Sequence, residues 1–220
     1  MLSSNRLSIL ALIIALSICA GLGCFAATKP ASSDTTIYKV RLKSSFGDAG
    51  TRKLSIDGKN YLWEVATAGM DLKIIKNTDG VFLIGKNHIG KYPAGSKHES
   101  PMSLFPGPIG DVKEFLKANS AKSLGKAEVD GKKCEIHEYT EKISGWKCKL
   151  WTDAAKATPV KLELTGTNKG DSATATYLSY TLNEKIPASS FILPKDKKIR
   201  PMPEMKNEKK AAPKKAAPAK

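Results

Sequence analysis

Histidines at 88, 98 and 137 are the chain's three candidates for proton transfer near neutral pH. A hydrolytic triad needs a nucleophile beside one of them and a carboxylate to orient the ring. None has a Ser or Asp arrangement nearby that suggests this, so no catalytic residue is assigned and no enzyme is expected. The glycines of PGPIGD, residues 106–111, fall in a proline turn instead of joining a strand to a helix, which argues against nucleotide binding. Trp63, Trp146 and Trp151 could line a ligand hollow; equally, aromatic side chains on strands serve as packing.

Cysteine offers another chemistry. Cys19 and Cys24 fall in the N-terminal segment, and Cys134 and Cys148 in the body. Neither of the latter has a CxxC partner or a His at ligand spacing, so no metal site and no cofactor are expected. An even pair suits a disulfide in an oxidising compartment. GKKCEIHEY and GWKCKLW alternate with period two, so a hairpin with Cys134 opposite Cys148 also sets Ile136 opposite Trp146. Chain entropy gives such a bridge about 3 kcal/mol. The alternative is two separate thiols.

Residues 1–26 read as a signal peptide. MLSSNR carries one positive charge at Arg6, LSILALIIAL is an apolar run of signal length, and small residues follow to Ala27. The run is short of the roughly 20 apolar residues of a membrane span, although an uncleaved anchor is one alternative. Cys24 and Ala26 are the small residues that cleavage before Ala27 requires. Gly21-Leu22-Gly23-Cys24 also resembles a lipobox with its Leu one place too close to the Cys, so Cys24 is either removed or lipidated. Either outcome places the protein in the periplasm or the extracytoplasmic envelope.

A chain of 220 residues suffices for one domain or a tight pair. Its formal charge of +15 suggests nucleic acid until it is divided along the chain: residues 195–220 hold ten Lys or Arg against Asp196, Glu204 and Glu208. The body is only mildly basic, and specific nucleic-acid binding is not expected. Residues 27–36 read as a linker. The tail at 200–220 lacks apolar periodicity and reads as disordered. Its lysines suit an anionic envelope surface, or serve solubility alone.

The elements that must position any site are almost all strands. Eleven short segments alternate apolar and polar residues, as in Tyr61, Trp63 and Val65 around Glu64, or Val160, Leu162 and Leu164 around Lys161 and Glu163. Asp57-Gly58, Asp79-Gly80 and Asp130-Gly131 between them are hairpin turn chemistry. The reading is a mainly β fold, a large antiparallel sheet with one dry face and one wet face. PAGSKHESPMSLFPGP, residues 93–108, has four prolines and cannot be a central strand. IGDVKEFLKANS after it is the one convincing helix, with Asp111 as cap and Val112, Phe115 and Leu116 as its apolar stripe. One short helix is too little cover for the dry face, so the sheet must curl around its own interior or hold something else.

GKKCEIHEYT, GWKCKLWTDAAKATPVKLELTG and ATYLSYTLNEKIPASSFILPKDKKI then resemble the C-terminal half of the LolA-like family of periplasmic lipoprotein carriers. Trp151-Thr152-Asp153, Pro159-Val160-Lys161 and Asn183, Ile186, Pro187, Phe191 and Pro194 occupy that family's motif positions, and DGVFLIG extends the match weakly toward the N-terminus. The resemblance implies, for residues 37–199, an unclosed β-barrel with helix and loop cover whose apolar hollow holds acyl chains of a lipid or lipoprotein. The residues offered for the hollow are Trp63, Leu72, Ile74, Phe82, Ile84, Leu104, Phe105, Phe115 and Leu116. Two departures stand out: no N-terminal helix precedes the first strand, and Arg41 and Arg52, the only arginines between the signal and Arg200, give no assignable lid arginine. The expected function is a monomeric lipid or lipoprotein binder. The alternative is a structural or sensory envelope domain that fills its own hollow and contacts a protein.

Overall fold

The computed structural model describes residues 35–203, apart from 46, 68, 143, 144 and 167–169. The signal segment with Cys24, the linker up to residue 34 and the tail from 204 onward lie outside the described residues.

Every segment expected as a strand is one. They are β1 (Thr35–Ser44), β2 (Gly47–Asp57), β3 (Asn60–Thr67), β4 (Met70–Asn77), β5 (Gly80–Ile84) and β6 (His88–Lys91), then β7 (Lys122–Val129), β8 (Lys132–Thr140), β9 (Lys147–Asp153), β10 (Pro159–Thr165) and β11 (Ser172–Leu182). A twelfth, β12 (Lys198–Pro201), was not expected. The helix α1 (Val112–Ala118) is capped as its D-x-x-E pattern suggests, the Asp111 carboxylate accepting from the backbone N–H groups of Lys113 at 2.8 Å and Glu114 at 3.0 Å. Asp130 and Gly131 both adopt positive φ, 50° and 75°, which is the backbone a two-residue hairpin between β7 and β8 needs.

All twelve strands belong to one sheet, in the order β12-β6-β5-β4-β3-β2-β1-β11-β10-β9-β8-β7. Neighbours are antiparallel except β12, which lies parallel to β6. The outermost strands, β12 and β7, do not pair with each other, so the curled sheet stays open as a barrel. β1 joins β11 near its middle, Thr36 facing Leu182.

Register assigns each side chain to a face, because residues directly opposite one another share a side. Tyr38, Leu54, Trp63 and Ile74 lie in one row across β1 to β4, and with Leu150 and Leu162 they belong to the main core on the inner face. The outer face carries two smaller clusters. Ile75, Ile186 and Phe191 form one, and Cys134, Trp151 and Val160 the other. The first gives Ile186 and Phe191 a physical role. After β11 the chain must reach the far edge to become β12, and it crosses behind β1 to β5 with Ile186 and Phe191 pressed onto Ile37, Leu62, Ile75 and Ile84. Asn77 Nδ2 donates to the Phe191 carbonyl at 3.1 Å, and Lys197 Nζ to that of Gly85 at 2.9 Å.

The same register overturns the expected disulfide. Cys134 faces Asp153 and Cys148 faces Tyr139, while Ile136 faces Trp151 and not Trp146. The shift from the expected pairing is an odd number of residues, so the two thiols point to opposite faces of the sheet, and both are free and buried. Cys148 lies five positions from the residue opposite Cys134, about 17 Å along the strand. A disulfide needs Cα atoms within about 7 Å.

Candidate functional site

The inner face is covered by a single segment, the prolines and 3-10 turns of residues 93–110 followed by α1. Its centre is Phe105, 3% exposed, whose ring lies 5.7 Å from that of Tyr38, 6.2 Å from Trp63 and 6.4 Å from Tyr177. Phe115 of α1 packs edge-on to Tyr139 at 5.3 Å. A Cβ on Gly107 would collide with the Tyr177 hydroxyl and the Phe105 ring, so only glycine lets the cover's backbone come this close.

What fastens this cover is a set of side chains on the sheet that reach its main-chain carbonyls. The hydroxyl of Tyr61 donates to the His98 carbonyl, that of Tyr139 to Pro106 at 2.9 Å, and that of Tyr180 to Gly110. Lys76 Nζ donates to the Glu99 carbonyl at 2.6 Å, and the Gly110 N–H donates to Thr36 Oγ1 at 3.0 Å. The hydroxyls of Tyr38 and Tyr177 are buried beneath Phe105 without a hydrogen-bond partner. Burial raises the pKa of all five tyrosines, so each keeps its proton, and Tyr61, Tyr139 and Tyr180 use theirs to donate to the cover.

Of the residues expected to line a hollow, the structure brings Trp63, Leu72, Ile74, Leu104, Phe105, Phe115 and Leu116 together between the inner face and the cover. Phe82 and Ile84 are on the other side of the sheet. Phe82 faces Ile75 across β4 and β5, with Lys91 Nζ 5.5 Å from its ring centroid, and Ile84 packs beside the outer cluster of Ile75 and Phe191. Trp146 belongs to the inner core, whereas Trp151 lies on the outer face under Lys149 and Lys161, 5.1 and 4.7 Å from its ring centroid.

The sequence reading gives the tyrosines no fastening role and assigns Arg52 no place. Tyr38, Tyr61, Tyr177 and Tyr180 alternate on their strands like any core residue, and nothing in that pattern separates a packing ring from a hydroxyl that holds a lid. Arg52 sits on the inner face between Val40 and Val65, 5% exposed, its Nη1 donating to the carbonyls of Ala49 at 2.8 Å and Thr51 at 3.1 Å. Burial lowers its pKa. Arg41 is on the outer face and exposed.

His137 Nε2 and Thr152 Oγ1 are 3.2 Å apart, a hydroxyl within reach of a base. The Glu135 carboxylate approaches that same nitrogen, at 3.9 Å, and so does not orient the ring through Nδ1 as a triad requires. His98 is buried in the cover against Tyr92, its Nδ1 unbonded. Burial, and then the charge of Lys97, lower its pKa to about 4. No group of three or more possible metal ligands occurs among the described residues.

No protein-family model and no curated protein matches the chain. The likeness is to solved structures, and it is one of fold. An uncharacterised conserved protein from Thermus thermophilus is similar with a TM-score of 0.51 and 9% identity, over 90% of this chain and 100% of that one. MucB gives 0.44 and 9% over 88% of this chain and 64% of its own. A LolA superfamily protein from Nitrosomonas europaea gives 0.34 and 10% over 75% and 93%.

Proposed function

We propose that this is an exported, non-catalytic binding protein that takes the acyl chains of a lipid or lipoprotein between its inner face and the cover. The observation that carries this reading is how the cover is built. An apolar interior is roofed by a proline-rich segment whose main chain joins no sheet and is tied down by individual tyrosine, lysine and threonine side chains. Each such bond is worth about 1 kcal/mol net. An entering chain recovers roughly 0.8 kcal/mol per buried methylene, so half a dozen methylenes offset the loss of these five bonds, and further methylenes replace the apolar contacts of the cover. That balance gives binding that is useful and reversible.

Native mass spectrometry of protein purified from envelope, with organic extraction of the same sample, tests the reading. Co-purifying acyl lipid is expected, and more of it when Tyr61, Tyr139 and Tyr180 are together replaced by Phe. Protein that is empty in both forms, and that takes up no fluorescent fatty acid, would end it.

A second reading has its own support. Tyr38 is fully buried and Phe105 fills the space above it, so in this closed form the interior is occupied by the protein's own rings. A domain that stays so would act through its surface on a protein partner, and the empty outcome above selects it.

A further inference from the structure

The described residues cover only part of the outer face. The segment that crosses behind the sheet buries the apolar row of Ile37, Leu62, Ile75 and Ile84. The rows beside it, centred on β1, stay open and are basic. Register places Lys73, Glu64, Lys53, Lys39 and Ser179 in one line across β4, β3, β2, β1 and β11. The next line runs Asp71, Ala66, Thr51, Arg41, Thr176, Lys161 and Trp151, and the third Asp48, Lys43, Thr174, Glu163, Lys149 and Glu138. Seven cations share these lines with five carboxylates, of which Asp71 and Glu138 stand at the outer strands β4 and β8.

The carboxylates do not cancel the centre of the patch. Glu64 is held by Lys73 at 2.7 Å and reached by Lys53 at 3.9 Å, and Glu163 by Lys161 at 2.6 Å. Lys39, Arg41 and Lys43 are exposed along β1 and have no ion pair among the described residues. β11 beside them carries hydroxyls at Thr174, Thr176 and Ser179 with Leu178 exposed at the bulge, and the one carboxylate directly opposite these three cations is Asp48, which faces Lys43 and accepts from the Gly50 N–H at 2.8 Å.

We infer that this outer face docks on an anionic lipid surface through Lys39, Arg41 and Lys43. Strands about 4.8 Å apart, with like-facing residues about 7 Å apart along each, spread the charge over about 14 Å along the strands and about 29 Å across them. A two-dimensional array with no groove through it matches a plane of headgroups better than it matches a rod of polyanion. The inference stands on the opposite face from the binding site proposed above and does not depend on it: a protein that holds no acyl chain could still dock here, and one that does could fail to.

The test is co-sedimentation of the full chain with vesicles of equal parts phosphatidylglycerol and phosphatidylcholine, against phosphatidylcholine alone, in low salt and in physiological salt. Binding to the anionic vesicles only, weakened by salt, is expected. Replacing Lys39, Arg41 and Lys43 by Thr, which suits exposed strand positions, should weaken it about fivefold per charge, both in the full chain and in a chain ending at Pro203. The charge-conserving K39R/R41K/K43R should bind like the parent, and so should K126T/K133T on the β7–β8 hairpin. The inference is overturned if the threonine variant binds like the parent, if truncation at Pro203 alone abolishes binding, or if K126T/K133T weakens it equally. Binding of duplex DNA or heparin without binding of the vesicles would assign the face to a different class of partner and also overturn it.

Discussion

The sheet is covered twice, and the two covers are fastened differently. On the outer face, residues 183–197 are anchored by buried Ile186 and Phe191 and end in main-chain pairing, β12 on β6, with Met202 N–H continuing to the Lys91 carbonyl at 2.8 Å. On the inner face, residues 93–110 have no such ladder to their neighbours and hang from side-chain hydroxyls around one central ring, Phe105. The first is continuous with the sheet's cooperative structure. The second can leave while the sheet stays intact, since local opening draws on the least cooperatively bonded part of a fold.

Replacing the anchor ring of each cover breaks this contrast most directly. Phe191→Ala should lower global stability in urea by about 3–5 kcal/mol, the usual loss for a buried Phe. Phe105→Ala should cost the sheet about 1–2 kcal/mol, because the cover yields locally, while hydrogen exchange in residues 96–110 accelerates. Equal losses from the two would show the covers to be one unit.

Acid sharpens the contrast next. His98 is buried neutral with its pKa depressed to about 4, from an ordinary 6.5. A base lowered by folding binds fewer protons folded than released. Its contribution is therefore whole above about pH 6.5 and is lost as pH falls toward 4. Exchange in the inner cover should rise across that window while residues 186–193 stay protected, and His98→Gln should flatten the response. A pH-independent cover would remove His98 from the latch.

The thiols predict the smallest effect. Burial raises both pKa values, that of Cys148 to about 12, so neither thiol is poised to react. Oxidised and reduced protein should melt alike, and both cysteines should alkylate only after unfolding. A native mass two hydrogens lower under non-reducing conditions would contradict the register.

The strands were legible because period-two alternation and Asp-Gly turns are local signals, and the helix because its cap is local too. What escaped depends on partners distant in sequence. Lys198–Pro201 is only four residues long, exposed throughout and includes a proline, and it becomes a strand because β6 offers an edge. The β8–β9 register is set by its turn, which closes where the Glu141 N–H meets the Trp146 carbonyl at 2.8 Å. β8 carries Cys134 and Ile136 on one side and Tyr139 on the other, so composition alone did not say which side was inner. Seven of the nine hollow candidates lie together for a similar reason. Trp63, Leu72 and Ile74 follow from alternation, but in β5 both Val81 and Phe82 are apolar and buried, and only pairing with β4 assigns Phe82 outward.

The pairing of β1 with β11 also governs the order in which the molecule can assemble. Strands β2 to β6 and β7 to β10 are hairpin neighbours that can form as they emerge, yet the two halves meet only through the first strand and the last long one. Until β11 arrives, β1 presents an open edge in the middle of the future sheet. Joining segments so far apart in sequence is entropically slow, so a chain emerging from its N-terminus has to wait for β11 before the structure locks.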